Sequence, residues 1–380
     1  MSPEYLYLHV PFCVRRCSYC DFAVDVVRRA PLEAWLDAIS AELALLSETE
    51  SWEWPLRLRT VYVGGGTPSL LGAAGMEALR RRLEPYVRLA DDVEWTVEAN
   101  PESFDADVAR GWREAGVNRL SLGAQTFDER ALKWMGRLHG PDGPVRAVEA
   151  ARRAGIENVS IDLIFGLPAR LGRDWGADLS RVLELAPAHV SLYGLTAEAA
   201  TPLGRWVREG REVLADEEAY EAEYLLAAER LGAAGYVHYE VSNFARPGLE
   251  SRHNSAYWTG EAYLGLGPSA HSYLPPERRW NLRDWAAYRS AVAAGRSPVD
   301  SREVVEGAAR ELERTWLALR TRAGLSREGW TEAQEAMVET WVDRGWAEHV
   351  QDAVRLTPAG WLLLDRLAVE FDEARGAVRA

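Results

Sequence analysis

Three cysteines, Cys13, Cys17 and Cys20, lie within eight residues of each other in the stretch Tyr5-Leu-Tyr-Leu-His-Val-Pro-Phe-Cys-Val-Arg-Arg-Cys-Ser-Tyr-Cys-Asp-Phe22. The chain has 3 cysteines in all, so none is left as a disulfide partner elsewhere. The spacing Cys-x3-Cys-x2-Cys puts the thiols on one loop, where they suit one metal centre. Three thiolates can bind three irons of a four-iron, four-sulfur cluster and leave the fourth iron without a protein thiolate. An iron left open in that way can chelate an exogenous ligand. The competing assignment is a structural zinc site of Cys3His type with His9 as fourth ligand. Its weakness is His9 itself, which falls inside a predicted strand.

The elements that must hold this loop are read from the rest of the chain. The run Tyr5 to Val10 alternates and reads as a strand leading into the cysteines. Pro31 to Ser47 shows helical periodicity through Leu32, Trp35, Leu36, Ile39, Leu43 and Leu46, and Pro31 suits a first helical turn. Further strands are expected at Thr60–Gly64, Val93–Ala99, Asn118–Gly123, Asn158–Phe165 and His189–Tyr193. Helices are expected near Met76 to Tyr86, after Pro101, at Glu129–Met135, at Val145–Ala154 and from Asp216 to Leu231. This alternation is the pattern of a parallel sheet with helical crossovers. Polar and glycine residues recur at the strand ends: Gly64–Thr67, Glu98, Gln125 and Asp162. In (β/α) barrels that rim is where a site is built. The expected fold is therefore α/β, a partial (β/α)6 TIM-like barrel over residues 1–236 with the cluster loop at 9–22. An aromatic-rich connecting region is expected at 237–300. A small, mostly helical, winged-helix-like domain is expected at 301–380, with amphipathic helices at Glu311–Arg322 and Glu332–Arg344. There a strand at Val354 leads into a helix capped by Thr357 and running to Leu367.

Bulk properties narrow the function. A net charge of −14 argues against non-specific binding to nucleic acid. The terminal domain, with 11 arginines against 15 acidic residues, reads as a packing or partner module rather than a DNA reader. No stretch qualifies as a membrane-spanning helix and no secretory pattern opens the chain. Clustered cysteines with no others fit a reducing cytoplasm.

Taken in order, the cysteine loop, Gly64-Gly-Gly-Thr-Pro68, Glu98-Ala-Asn-Pro101, Leu122-Gly-Ala-Gln125, Met135-Gly-Arg137-Leu-His139 and Asp162-Leu-Ile-Phe-Gly166 resemble the motifs of the radical S-adenosylmethionine (SAM) superfamily, in its HemN-like branch. The resemblance implies a [4Fe-4S] cluster on Cys13, Cys17 and Cys20, with the amino and carboxylate groups of SAM on the open iron. It implies SAM contacts from Tyr7, Tyr19, Gly65, Gly66, Thr67, Glu98, Gln125, Arg137 and Asp162. In that superfamily reductive cleavage of SAM yields a 5′-deoxyadenosyl radical, so the cofactor carries the chemistry and the protein positions it.

Two departures separate the chain from the branch's coproporphyrinogen III oxidase. That enzyme has a fourth cysteine where this chain has Phe22, and an N-terminal extension where only Met1 to Glu4 precede the strand. Both match the haem-chaperone members of the branch, as does His253-Asn-Ser-Ala-Tyr257-Trp258. Imidazole is a common axial ligand of haem iron, so His253, Tyr257 and Trp258 are candidate haem contacts. His271, His238 and His139 are rivals, and His349 in the acidic terminal stretch is the least suited. The expected function is a haem chaperone that binds the cluster with SAM and passes haem to an acceptor protein, leaving open peripheral contact with membrane acceptors. The alternative is oxygen-independent oxidation of coproporphyrinogen III, and the third reading is a zinc-bearing binding protein.

Overall fold

The computed structural model describes residues 2–376. The chain forms two compact units: residues up to Ala215 together with Ala262–Val304, and Asp216–Glu261 together with the chain from Val305 onward. The contiguous division expected at 236 and 300 differs from this arrangement. The segment 262–304 pairs into the sheet of the first unit, and 216–261 packs with the C-terminal segment.

In the first unit six parallel strands follow one another in sequence order: β1 (Tyr5–Val10), β2 (Leu56–Gly65), β3 (Val87–Ala99), β4 (Arg119–Gln125), β5 (Asn158–Phe165) and β6 (His189–Gly194). Helices α1 (Leu32–Thr49), α2 (Gly75–Leu83), α3 (Ala106–Ala115), α4 (Glu129–Met135), α5 (Gly143–Arg153), α6 (Trp175–Leu185) and α7 (Pro202–Arg208) lie between or after them. The partial (β/α)6 barrel is thus present. Side chains alternate across a strand, and β1 shows the consequence. Leu6, Leu8 and Val10 are fully buried, while Tyr7 and His9 project on the opposite face, where Tyr62 of β2 meets Tyr7. The helices stop and start on local signals. Asp105 caps α3 by accepting from the N–H groups of Asp107 and Val108, and Gly116 ends it in the left-handed region.

The stretch expected to be irregular holds short strands and two helices, Arg252–Trp258 and Trp285–Ala293. Strand β7 (Tyr263–Leu266) runs parallel to β1, and β8 (His271–Leu274), β9 (Glu277–Asn281) and β10 (Val299–Val304) extend the sheet antiparallel. Strands of four to six residues broken by glycine and proline turns are too short to show a clear period.

Glu42 of α1 ties this extension to the barrel. Its buried carboxyl accepts from the Gly267 N–H at 2.9 Å and the Asn281 amide at 2.6 Å, and it bonds the Tyr288 hydroxyl. Burial pushes Glu42 up to about 7, against those hydrogen bonds. A carboxyl raised above its unfolded value stabilises most below pH 4.5, and the contribution is lost as pH rises through about 7. That contribution is about 3 kcal/mol. Melting temperature should therefore fall between pH 5 and pH 8 in the wild type relative to Glu42→Gln. Parallel melting profiles across that range would refute it.

In the second unit the hairpin Val237–Glu240 and Asn243–Ala245 follows helix Glu217–Ala233. His238 is stacked on Phe244 (3.8 Å between centroids) and meets the Trp361 ring at 4.2 Å. Helices Gly307–Arg320 and Glu332–Asp343 accompany a three-stranded sheet of Leu325–Ser326, Ala347–Val350 and Ala353–Leu356. The Thr357 hydroxyl accepts from the Gly360 N–H at 3.2 Å, as its capping role requires, but the helix stops at Trp361 and a second runs Leu364–Gly376. Among the described residues no helix is long and apolar enough to cross a membrane.

Candidate metal and cofactor site

The cysteine loop leaves β1 through Pro11 and is anchored at both ends. Phe12 is fully buried and meets Trp285 edge-on at 5.4 Å. Phe12 and Cys13 pair with Asp25 and Val26. The Trp35 indole donates to the His9 carbonyl at 2.9 Å. Further along, the Ser18 N–H donates to the Met135 carbonyl at the end of α4, and the Leu203 N–H of α7 donates to the Ser18 carbonyl. Between these anchors Cys13, Cys17 and Cys20 are half-buried and free of disulfides.

Polar contacts run from one thiol to another across the barrel rim. Cys13 Sγ lies 3.3 Å from Thr67 Oγ1. The Asn100 amide donates to that hydroxyl at 3.1 Å, leaving the Thr67 proton for the sulfur. Arg137 donates to Asn100 Oδ1 at 2.6 Å and to the Gly123 carbonyl at 2.9 Å, and its other terminal nitrogen lies 3.7 Å from Cys17 Sγ. The space over Gly123 also holds the Gln125 amide, which a Cβ on Gly123 would meet at 2.7 Å. Gln125 itself has φ +67°, a left-handed conformation at the strand end. Tyr19 packs against the apolar cluster that includes Met135, Leu171 and Leu203, and lies beside Cys17.

Electrostatics at the loop favour metal over bare thiolate. Burial pushes the Cys13 thiol up to about 11, against the Thr67 hydrogen bond, and burial raises Cys20 as well. Both are protonated at neutral pH until a metal displaces the proton. Burial opposes the charge on Arg137, yet Tyr19, Cys17 and Glu102 hold it above its ordinary value. A fixed guanidinium there offsets negative charge on sulfur.

Behind the loop lies a glycine turn and a buried carboxyl. Gly65 has φ +109°, and a Cβ there would come within 2.5 Å of the His9 ring. A Cβ on Gly66 would lie 2.7 Å from the Phe12 carbonyl. Bare backbone is thus required for the turn to lie against the cysteine loop. Glu98 accepts from the Gly65 N–H and the Tyr62 hydroxyl, each at 2.9 Å. Burial pushes Glu98 up to about 7 against those bonds, with help from the Asp162 charge. Asp162 accepts from Ser121 at 3.0 Å and Ser160 at 3.1 Å, and burial raises it too. His9 Nε2 is 2.9 Å from the Ala23 carbonyl, so it carries the proton, and Nδ1 accepts from the Tyr7 hydroxyl at 3.1 Å. With both nitrogens engaged, His9 is not poised as a fourth metal ligand. Among the described residues no three His, Cys, Asp or Glu side chains stand close enough to hold a single ion. Three soft thiols spread along one loop, backed by a cation and bare backbone, fit a cluster in which each thiol takes its own iron.

The structure therefore gathers Thr67 against Cys13 and Arg137 against Cys17, with Gln125 beside Arg137 over Gly123, and Gly65 against Glu98, with Tyr7 and Asp162 on the same inner face. Asn100 and Tyr62 complete these networks and were not among the expected residues. Asn100 lies inside a quoted motif, but its side-chain partners, Thr67 and Arg137, come from the turn after β2 and the end of α4. His253, Tyr257 and Trp258 share one helix, Arg252–Trp258, in the second unit. His253 is 1% exposed and its Nε2 lies 2.8 Å from the Tyr257 hydroxyl, while the Arg320 guanidinium covers Trp258 at 3.9 Å. The His253 ring is enclosed, whereas Tyr257 and Trp258 are half-buried.

Residues 7–182 match the family described as the radical SAM superfamily. The heme chaperone HemW of Mycobacterium tuberculosis (strain CDC 1551 / Oshkosh) is 37% identical over 369 residues, covering 96% of this chain and 93% of that protein. The heme chaperone HemW of Bacillus subtilis (strain 168) is 33% identical, covering 94% and 96%. The structure of coproporphyrinogen III oxidase (HemN) from Escherichia coli superimposes with a TM-score of 0.82 over 98% of this chain and 90% of that one. At 22% identity that likeness is one of fold. Barrel, thiol loop and matched domain define a radical SAM protein, a class whose cofactors are a [4Fe-4S] cluster and SAM. Within that class the chain belongs to the family of the heme chaperone HemW.

Proposed function

We propose that the chain is a haem carrier that holds a four-iron, four-sulfur cluster with SAM and passes haem to an acceptor protein. The observation that carries this reading is similarity to heme chaperones over nearly the whole chain. Cys13, Cys17 and Cys20 would hold the cluster. Arg137 and Thr67 would fix two of those sulfurs, and Tyr7, Tyr19, Gly65, Gly66, Glu98, Gln125 and Asp162 would line the SAM site. When bound, the cluster supplies an open iron for chelation and a source of one electron. Free thiols fit the reducing conditions of a cytoplasmic setting, and the protein's part is to offer backbone and carboxyl groups to the guest.

Phe22 stands exposed where the oxidase has another cysteine, which favours carriage over coproporphyrinogen oxidation. Haem titration of the anaerobically reconstituted chain, followed by transfer to an apo-haem protein, tests the reading. Stoichiometric binding and transfer are expected. Absence of haem binding, or formation of protoporphyrinogen from coproporphyrinogen III with SAM and reductant, would overturn it.

SAM affinity should depend on pH through Glu98. Its carboxyl, near 7 in the free protein, is neutral at low pH and becomes an anion, a stronger acceptor for the ribose hydroxyls of SAM and a counter-charge to its sulfonium, as pH rises. Calorimetry should find binding about tenfold tighter at pH 8 than at pH 6. Glu98→Gln should bind weakly and flatten the profile. An unchanged profile in the variant would remove Glu98 from the SAM site.

A further inference from the structure

Between α1 and the hairpin extension lies a cavity of about 330 Å³. Strand alternation decides which side chains of the extension reach it. Arg279 and Asn281 of β9 turn towards α1, where they meet Glu50 and Glu42. Arg278, between Trp280 and Glu277 on the same strand, lies instead over the Tyr273 ring of β8. From α1 the cavity takes Glu42, Leu45, Leu46, Thr49 and Glu50, whose spacing is that of one helix face.

Register sets two guanidinium groups side by side in the wall. Ser272 of β8 pairs with Arg279, and Arg279 pairs with Arg302 of β10. Arg302 is exposed and bonds Glu277 at 3.3 Å. Arg279 is held back, its side chain only 11% exposed. Its Nη1 donates to Glu50 at 2.7 Å. Its Nη2 is buried and has no hydrogen-bond partner among the described residues. A buried charged donor without an acceptor is costly, and the cavity is the space in which an acceptor could sit. Glu42 is already committed to Gly267, Asn281 and Tyr288.

A carboxylate is the natural partner of a guanidinium. Leu45, Leu46, Leu264 and Val299 make the rest of the wall apolar. Charge limits the guest further. Glu42, Glu50 and Glu277 already stand around the two guanidiniums, and α1 ends here with its negative pole. One negative charge is matched in this setting, and a phosphate dianion is not.

We infer that this cavity binds a small organic monocarboxylate, its head on Arg279 Nη2 and its apolar body against the leucines. The volume suits a body of about ten to fifteen non-hydrogen atoms. Binding is non-covalent and joins α1 to the extension. The inference goes beyond the haem-carrier reading and does not rest on it, because no residue of the thiol loop or the barrel rim lines this cavity.

The test is calorimetric titration of the full reconstituted chain with 3-phenylpropanoate, beside 3-phenylpropanamide and 3-phenylpropylamine. The carboxylate should bind one molecule per chain with a Kd below about 1 mM. The amide and the amine should bind at least about tenfold more weakly. Arg279→Gln should weaken carboxylate binding at least about tenfold. Val299→Phe keeps the guanidinium but fills the cavity, and should abolish binding. Circular dichroism identifies which variants are folded, and Val299→Phe decides the matter where Arg279→Gln is not. Absence of saturable carboxylate binding to the wild type would overturn the assignment. So would equal affinity for the amide or the amine, or unchanged carboxylate affinity in either folded variant.

Discussion

Replacing Cys17 with alanine should leave a folded chain that cannot hold its cluster. The side chain is half-buried on a loop and has the Arg137 guanidinium 3.7 Å away as its polar neighbour. Its loss removes little packing, so the circular dichroism spectrum should be unchanged. Metal loading is different, because a four-iron cluster on three protein thiolates has no spare ligand. Anaerobic reconstitution should give about four irons and four sulfides in the wild type and less than about a tenth of that in Cys17→Ala. Ser18→Ala is the control. It removes a weak 3.5 Å hydroxyl contact to the Trp134 carbonyl and should load normally. Full iron and sulfide in the cysteine variant would end the assignment of this loop as the cluster site.

Gly65→Ala should show the opposite pattern, with stability itself lost. The residue sits at φ +109°, where a side chain is strained, and its new Cβ would meet the His9 ring at 2.5 Å. That ring cannot swing away freely. Its nitrogens are held by the Tyr7 hydroxyl and the Ala23 carbonyl, and it is 5% exposed. The glycine N–H is also bonded to Glu98, so a shift of the turn would strip a buried carboxyl of a donor. Together these should cost about 3 kcal/mol, measured as a lowered denaturation midpoint. Gly72→Ala makes a useful comparison. It too has positive φ (+72°), but nothing lies within 4 Å of its Cβ, so backbone strain acts there without the clash. Equal losses in the two variants would show that the close approach to His9 contributes nothing.

Both expectations join residues that the sequence keeps far apart, and that marks where reading by eye reaches its limit. Individual elements of the barrel were legible. Strand Asn158–Phe165 and helix Glu129–Met135 have the bounds expected from their apolar pattern. Strand β2 begins four residues earlier than expected, at Leu56, because the alternation through Arg57 and Arg59 hides a paired edge behind exposed arginines. The hairpin extension was missed altogether. Its strands carry arginine, glutamate and serine on exposed positions, and their pairing is decided by β1, some 260 residues away in sequence.

The site divides along the same line. Type and spacing were enough to mark Cys13, Cys17 and Cys20 as one metal loop, because thiolate chemistry is local and a few residues of chain set its reach. The rim residues Thr67, Glu98, Gln125, Arg137 and Asp162 could be marked as a group, since strand ends of a parallel barrel converge whatever lies between them. Only the tertiary structure decided who bonds whom: that Asn100 couples Thr67 to Arg137, that His9 is spent on Tyr7 and Ala23, and that Glu98 is held by Tyr62 and a glycine N–H. It also separated the histidines. Local sequence shows an imidazole and its aromatic neighbours, but whether that ring is enclosed, as His253 is, or open, as His271 is, depends on packing by elements distant in the chain. Burial and hydrogen-bond partners are properties of the folded whole, and they turn a residue able to bind into one free to do so.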